Sequence, residues 1–198
     1  MEAAKNTQIN LVICICGMAG SGKSTVARKL AKKYGLNYYS GGDALKSLAI
    51  EAGYRPKEKG WWESEEGLGF LKQRMENPDF DKTIDKKFLE IGEKGNLVLD
   101  SWTMPWLLKK GFKIWLEALP EVRAERLARR DRISFEDASK RLREKEEKTK
   151  RIYEKLYGFR LGEDFSPFHF ILDVNNLESY EVFNTLCEVI EKSLLRKC

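Results

Sequence analysis

Apolar residues in this chain gather in five short runs, at residues 11–16, 36–40, 96–100, 112–116 and 168–174, separated by stretches in which they recur every three to four positions. Short runs bounded by Gly, Asn or Asp predict buried strands, and the spaced stretches predict amphipathic helices. Helices are expected over 24–34, 43–52, 80–94, 120–130, 134–157 and 177–195. In the first, Val26, Leu30 and Ala31 share a face and Gly35 supplies the stop; in the third, Ile84, Phe88, Leu89 and Ile91 form the stripe. Pro120 fits a first helical turn, and Ser134 with Asp137 resembles a capping-box start. Residues 57–77, with Trp61 and Trp62 adjacent, read as irregular or helical. Strands alternating with helices imply an α/β fold with a mostly parallel sheet covered on both faces.

Composition narrows this picture. At 198 residues, with no linker rich in Pro, Gly or Ser, one domain is expected. A content of 42% hydrophobic and 11% aromatic residues excludes disorder, because the chain has the apolar surface that offsets ordering entropy. No apolar run approaches the roughly twenty residues that span a bilayer, and residues 1–10 are polar, so a cytoplasmic protein without a membrane is expected, and a monomer. The 36 Lys and Arg against 31 Asp and Glu leave +5, with both signs interspersed. That balance fits anionic, phosphorylated substrates and gives no reason to expect a specific nucleic-acid partner. Of the four cysteines, Cys14 and Cys16 alternate with Ile13 and Ile15 and share one strand face as small core residues; with Cys187 and Cys198 they make no zinc set. His169, between Phe168 and Phe170, reads as structural.

The strongest chemical signal follows the first strand. Gly17-Met18-Ala19-Gly20-Ser21-Gly22-Lys23-Ser24-Thr25 matches GxxxxGK[ST] in full and opens a helix, the context that this motif requires. Its glycines let backbone N–H groups turn inward around a phosphate, at the positive end of the helix dipole. Lys23 then reaches the β and γ phosphates and the Ser24 hydroxyl holds Mg²⁺; without a ligand, Lys23 is expected to face solvent. The second strand ends in Ser40-Gly41-Gly42-Asp43 with Lys46 beyond, at a carboxyl edge where open α/β sheets bind ligands. Asp43 reads there either as a ligand or as a plain helix N-cap. Asp100, closing Leu97-Val98-Leu99, reads either as a carboxylate for Mg²⁺ or as part of an ordinary strand-end turn.

Eight arginines fall between residues 123 and 151, interleaved with acids. A solvated helix with i,i+4 pairs accounts for most of them. Arg126 and Arg130 nevertheless share one helical face, and phosphoryl transfer needs cations that clamp the moving group. The break at Asp131-Arg132-Ile133-Ser134 would make a hinge for a lid that excludes water.

With P-loop, Ser-Gly-Gly-Asp segment and arginine-rich helices in this order, the chain resembles the nucleoside monophosphate kinases, most closely the archaeal-type cytidylate kinases. The resemblance also rests on Pro78-Asp79-Phe80-Asp81 with Ile84-Asp85, on Gly95-Asn96-Leu97-Val98-Leu99, on Lys113-Ile114-Trp115-Leu116, and on the stretch between Arg151 and Gly158. It implies a P-loop NTPase three-layer fold with a five-stranded parallel sheet in the order 2-3-1-4-5. It further implies an acceptor-binding helical subregion at about 42–94, a lid at about 126–151, and ATP with Mg²⁺. The implied catalytic residues are Lys23, Arg126, Arg130 and Arg141. Ser40, Asp43, Lys46, Trp102 and Arg151 are assigned to the acceptor, and Ser24 with Asp100 to the metal. The acceptor half departs from the family pattern. Lys46 stands where an arginine is usual, and Ser101-Trp102-Thr103-Met104-Pro105-Trp106 brings no cation before Lys109. Trp102 and Trp106 read either as base-stacking or as core, and Trp61 and Trp62 as packing or pocket lining. Two functions follow: phosphoryl transfer from ATP to a nucleoside monophosphate, CMP or dCMP first, or a kinase-like ATPase used as an assembly or regulatory switch.

Overall fold

The structure, a computed structural model, describes residues 10–56 and 60–195; residues 57–59 of the stretch expected to be irregular or helical, and Cys198, lie outside them. Five strands, β1 (Val12–Cys16), β2 (Asn37–Ser40), β3 (Leu97–Asp100), β4 (Phe112–Glu117) and β5 (Phe170–Asp173), form one sheet in the order β2-β3-β1-β4-β5. Every pairing is parallel, as the alternation of runs implied. The order places the carboxyl ends of β1 and β3 side by side, with Ile15 opposite Asp100.

Helices α1 (Lys23–Tyr34) and α8 (Ser179–Ile190) cover one face, where Ile13 and Ile15 meet Val26, Leu30, Leu186 and Ile190. On the other face lie α2 (Gly41–Glu51), α3 (Glu65–Glu76), α4 (Asp79–Lys94) and the short α5 (Met104–Leu107), with α6 (Pro120–Asp131) and α7 (Phe135–Tyr157) beyond the loop after β1. Cys14 and Cys16 point to this second side as fully buried thiols; burial pushes Cys14 up to about 12 and Cys16 higher still, so both stay protonated packing residues. Among the described residues no cluster of His, Cys, Asp and Glu forms a metal cage, and no helix is long and apolar enough to cross a membrane.

Local signals account for most boundaries. Gly35 ends α1 in the left-handed conformation at φ 64°, Pro120 opens α6, and Ser134 Oγ caps α7 by accepting from Asp137 N at 3.0 Å. Helix α2 begins two residues before the expected Asp43, because Ser40 is its cap and accepts from Asp43 N at 3.2 Å. Asp43 is therefore a first-turn acid and not the N-cap. A 3₁₀ turn at Trp61–Glu63 precedes α3, and residues 191–195 continue α8 as a π-type turn. The four-residue α5, which Pro105 initiates, carried no periodic signal. His169 is structural: its Nδ1 accepts from Lys113 N at 3.0 Å and its ring stacks on Phe112.

Candidate active site

Between β1 and α1 the chain turns through Gly17 at φ 148° and Gly20 at φ 84°. A β-carbon at Gly17 would lie 2.6 Å from both Leu116 O and Ser21 Oγ, and one at Gly20 would lie 2.8 Å from Arg123 O. The loop is thus pressed against β4 and α6 by its own backbone, a packing that only glycine permits. The first-turn N–H groups of α1 have no intrahelical acceptor and open on the same space. Ser21 Oγ, buried in the loop, lacks a hydrogen-bond partner among the described residues. A phosphate chain would satisfy the first-turn N–H donors of α1.

Lys23 does not face solvent as expected. Its Nζ lies 3.5 Å from Met18 O and 5.2 Å above the Trp102 ring, and desolvation lowers its pKa against the opposing pull of Asp100. Ala19, Gly20, Gly22, Lys23, Ser24 and Thr25 line a cavity of about 540 Å³, while Gly17, Met18 and Ser21 do not. The cavity continues past the ends of β2 and β3, where Ser40, Asp43, Lys46 and Asp100 line it. Asp100 is 4% exposed, and Tyr38 Oη donates to its Oδ2 at 3.0 Å. Asp43 pairs with Arg28 at 3.1 Å on the exposed rim. A Ser24 hydroxyl and one strand-end carboxylate beside a phosphate site is a donor set that fits Mg²⁺, which keeps several waters and takes few protein ligands.

Helices α6 and α7 roof the P-loop end. Arg126 and Arg130 both line the cavity; Arg126 donates to Val174 O at 2.6 Å, and Arg130 pairs with Asp131 and Glu63. The structure does not bring Arg141 or Arg151 to the cavity: Arg141 is half-buried elsewhere on α7, and Arg151 is exposed. Lys145 stands there instead, its Nζ 2.5 Å from Glu63 Oε1 and within 6 Å of the Trp62 and Trp102 rings. Trp102 sits at the P-loop end, its Nε1 donating to Gly17 O at 2.6 Å. Trp106 stacks on Phe159 in the core, Trp61 is buried beside Phe70, and Trp62 lines the cavity.

At the far end, buried Arg74 donates to Asp81 from Nε at 3.1 Å and from Nη2 at 2.6 Å, with Tyr153 Oη at 3.4 Å. Beside this pair, Asp85 accepts from Thr103 Oγ1 at 2.6 Å and Tyr157 Oη at 2.7 Å. Burial raises the Asp85 carboxyl to about 6.

Arg74, Glu63 and Lys145 were missed as site residues by sequence reasoning. For Lys145 a signal existed: the buried positions of α7 run Ala138, Leu142, Lys145, Thr149 and Ile152 at alternating spacings of four and three. A lysine and a threonine inside that inward stripe mark where the helix passes a polar cavity. Arg74 likewise falls three residues after Leu71 on the buried side of α3.

A parallel sheet in this order, a glycine loop into α1 and a roof of cations over it define a P-loop phosphotransferase. The chain belongs to the cytidylate kinase-like family, whose profile matches residues 12–176. It is 34% identical to a cytidylate kinase from Methanopyrus kandleri, over 96% of this chain and 97% of that one. A cytidylate kinase from Pyrobaculum islandicum is 36% identical over 84% and 85%, and one from Methanocaldococcus jannaschii 32% identical over 91% and 98%. Among solved structures, a shikimate kinase from Bacteroides thetaiotaomicron superposes with a TM-score of 0.57 at 15% identity, covering 91% of this chain and 98% of the other. That likeness concerns the fold alone.

Proposed function

We propose that this protein transfers the γ-phosphoryl group of ATP to the phosphate of a nucleoside monophosphate, with CMP or dCMP as the acceptor. The observation that carries the reading is a single cavity that joins the P-loop to Ser40, Asp43 and Lys46 and ends at a buried polar wall of Arg74, Asp81 and Asp85. One end offers what a triphosphate needs and the other offers donors and acceptors for a smaller polar molecule. The family relatives, named as cytidylate kinases, supply the acceptor class.

In this reading the loop backbone and Lys23 hold the β and γ phosphates. Ser24 and Asp100 would hold Mg²⁺, which neutralises charge on the phosphate oxygens. Arg126, Arg130 and Lys145 face the transferred group, and Lys46 meets the acceptor phosphate. No covalent intermediate is required, because the reaction is served by positioning and by charge stabilisation. Arg141 and Arg151 reach the substrates only if α7 shifts when they bind. With this goes a monomeric, cytoplasmic enzyme, in keeping with buried thiols that remain unpaired.

One observation favours the second reading, a switch ATPase. Two arginines that line the cavity beside the residues assigned to the acceptor are already committed to carboxylates, Arg74 to Asp81 and Arg28 to Asp43. A coupled assay with ATP and a panel of nucleoside monophosphates decides between them. Turnover dependent on CMP or dCMP is expected; ADP release that no monophosphate stimulates would overturn the kinase reading.

A further inference from the structure

Glu63, at the end of the 3₁₀ turn before α3, puts its carboxylate into the roof of the cavity with 4% of the side chain exposed. Its Oε1 accepts from Lys145 Nζ of α7 at 2.5 Å, and its Oε2 accepts from Arg130 Nη2 of α6 at 3.1 Å. Each oxygen is taken by a cation from a different helix, and all three residues line the space above the P-loop. Arg130 has Asp131 as a further partner, whereas Glu63 is the one ion-pair partner of Lys145 among the described residues. Lys145 is also close enough to Lys23 to lower its pKa, and both ammonium groups lie over Trp102, at 5.7 and 5.2 Å.

Two cations thus converge on one anionic group, with the P-loop Lys23 beside one of them, at the place where a phosphate chain would need them. A buried lysine next to another lysine costs free energy unless an anion is supplied, and here the chain supplies its own. We propose that Glu63 is a positioning residue that stands in for a phosphoryl group. In the free protein it holds Lys145 and Arg130 over the P-loop, and it yields them when a phosphate chain enters. The inference rests on the reading that this cavity takes a phosphate chain. Burial by itself would raise the Glu63 pKa, but Lys145 and Arg130 hold it below the usual range, so the group is charged whenever the site is empty.

A stand-in has a signature that a merely structural ion pair lacks. Replacing Glu63 with Gln removes the competing charge, so the free protein becomes less stable while its affinity for a phosphate chain increases. The measurement uses the full chain, with calorimetric titration of inorganic tripolyphosphate and of ATP alongside the thermal midpoint. Glu63→Gln is expected to lower the midpoint and tighten tripolyphosphate binding about tenfold, the size of one partly buried charge interaction. Glu63→Asp retains the charge and protects the fold, but withdraws the carboxylate by a methylene and so tightens binding two- to threefold. It decides the matter if the Gln variant does not fold. Equal or weaker binding in the variant that folds would overturn the stand-in and leave the phosphate site untouched. A wild-type protein that binds neither tripolyphosphate nor ATP would overturn both the stand-in and the kinase reading beneath it.

Discussion

Asp85 places a carboxyl group where two hydroxyls point at it and no cation pairs with it among the described residues. Its pKa is raised from the ordinary 3.8 to about 6, first by desolvation, against the opposing pull of Thr103 and Tyr157. Between these two values the folded chain binds more protons than the unfolded one, so this group's contribution to stability falls as pH rises through that window. Asp85→Asn removes the titration and keeps the shape. At pH 7 the variant is expected to be more stable than wild type by about 3 kcal/mol, and near pH 4 the two should converge. Urea unfolding at both pH values checks this, and a difference that does not change with pH would refute it. The sequence marked Asp85 only as part of a family-like stretch. Its raised pKa comes from burial by the tertiary fold, and its hydrogen-bond partners Thr103 and Tyr157 lie 18 and 72 residues away, so no local pattern reveals either.

Among the elements, the P-loop helix and the capped α7 were readable from the chain because their determinants are local. Glycines with positive φ, a Ser cap and a four-three stripe all act within a few residues of one another. What stayed hidden was which helix each buried charge would meet. Arg74 of α3 is an instance: it bridges to Asp81 of α4, and Tyr153 of α7 touches the same guanidinium. Both charged partners are 3% exposed. Arg74→Met keeps the length of the side chain but strands Asp81 without a cation, which is expected to cost about 3–5 kcal/mol in urea unfolding. Restoring neutrality with Arg74→Met and Asp81→Leu together should recover much of that loss. A single variant within 1 kcal/mol of wild type would show that water, and not Arg74, satisfies the carboxylate.

At the scale of the whole molecule the proposed reading separates a donor end from an acceptor end, and Lys46 tests that separation. Lys46→Ala is expected to raise the KM for the monophosphate roughly tenfold and to leave the KM for ATP within a factor of two, because it removes one ground-state contact to one substrate. Lys46→Arg should hold or improve acceptor binding, since its fork takes two phosphate oxygens. Steady-state kinetics varying each substrate in turn provides the check, and equal effects on both KM values would contradict it. The parallel sheet was legible from strand and helix alternation, and its order from likeness to a family. Of the assigned residues, the cavity gathers Lys23, Ser24, Ser40, Asp43, Lys46, Asp100, Trp102, Arg126 and Arg130. Arg141 and Arg151 differ because they were assigned by likeness to a family, and both stand off the stripe through Leu142, Lys145 and Thr149 that turns inward.

Helix α7 has one further consequence. Its single inward stripe meets Ala19 of the P-loop through Leu142, Glu63 through Lys145, and Arg74 through Tyr153. At 23 residues it is about 34 Å long at 1.5 Å per residue, enough to span both ends of the cavity. In the proposed reading, a molecule that shifts this helix at one end of the cavity shifts the residues it presents at the other. Donor and acceptor would then be thermodynamically linked through one rod: whatever factor the first lends to the second's affinity, the second must return to the first.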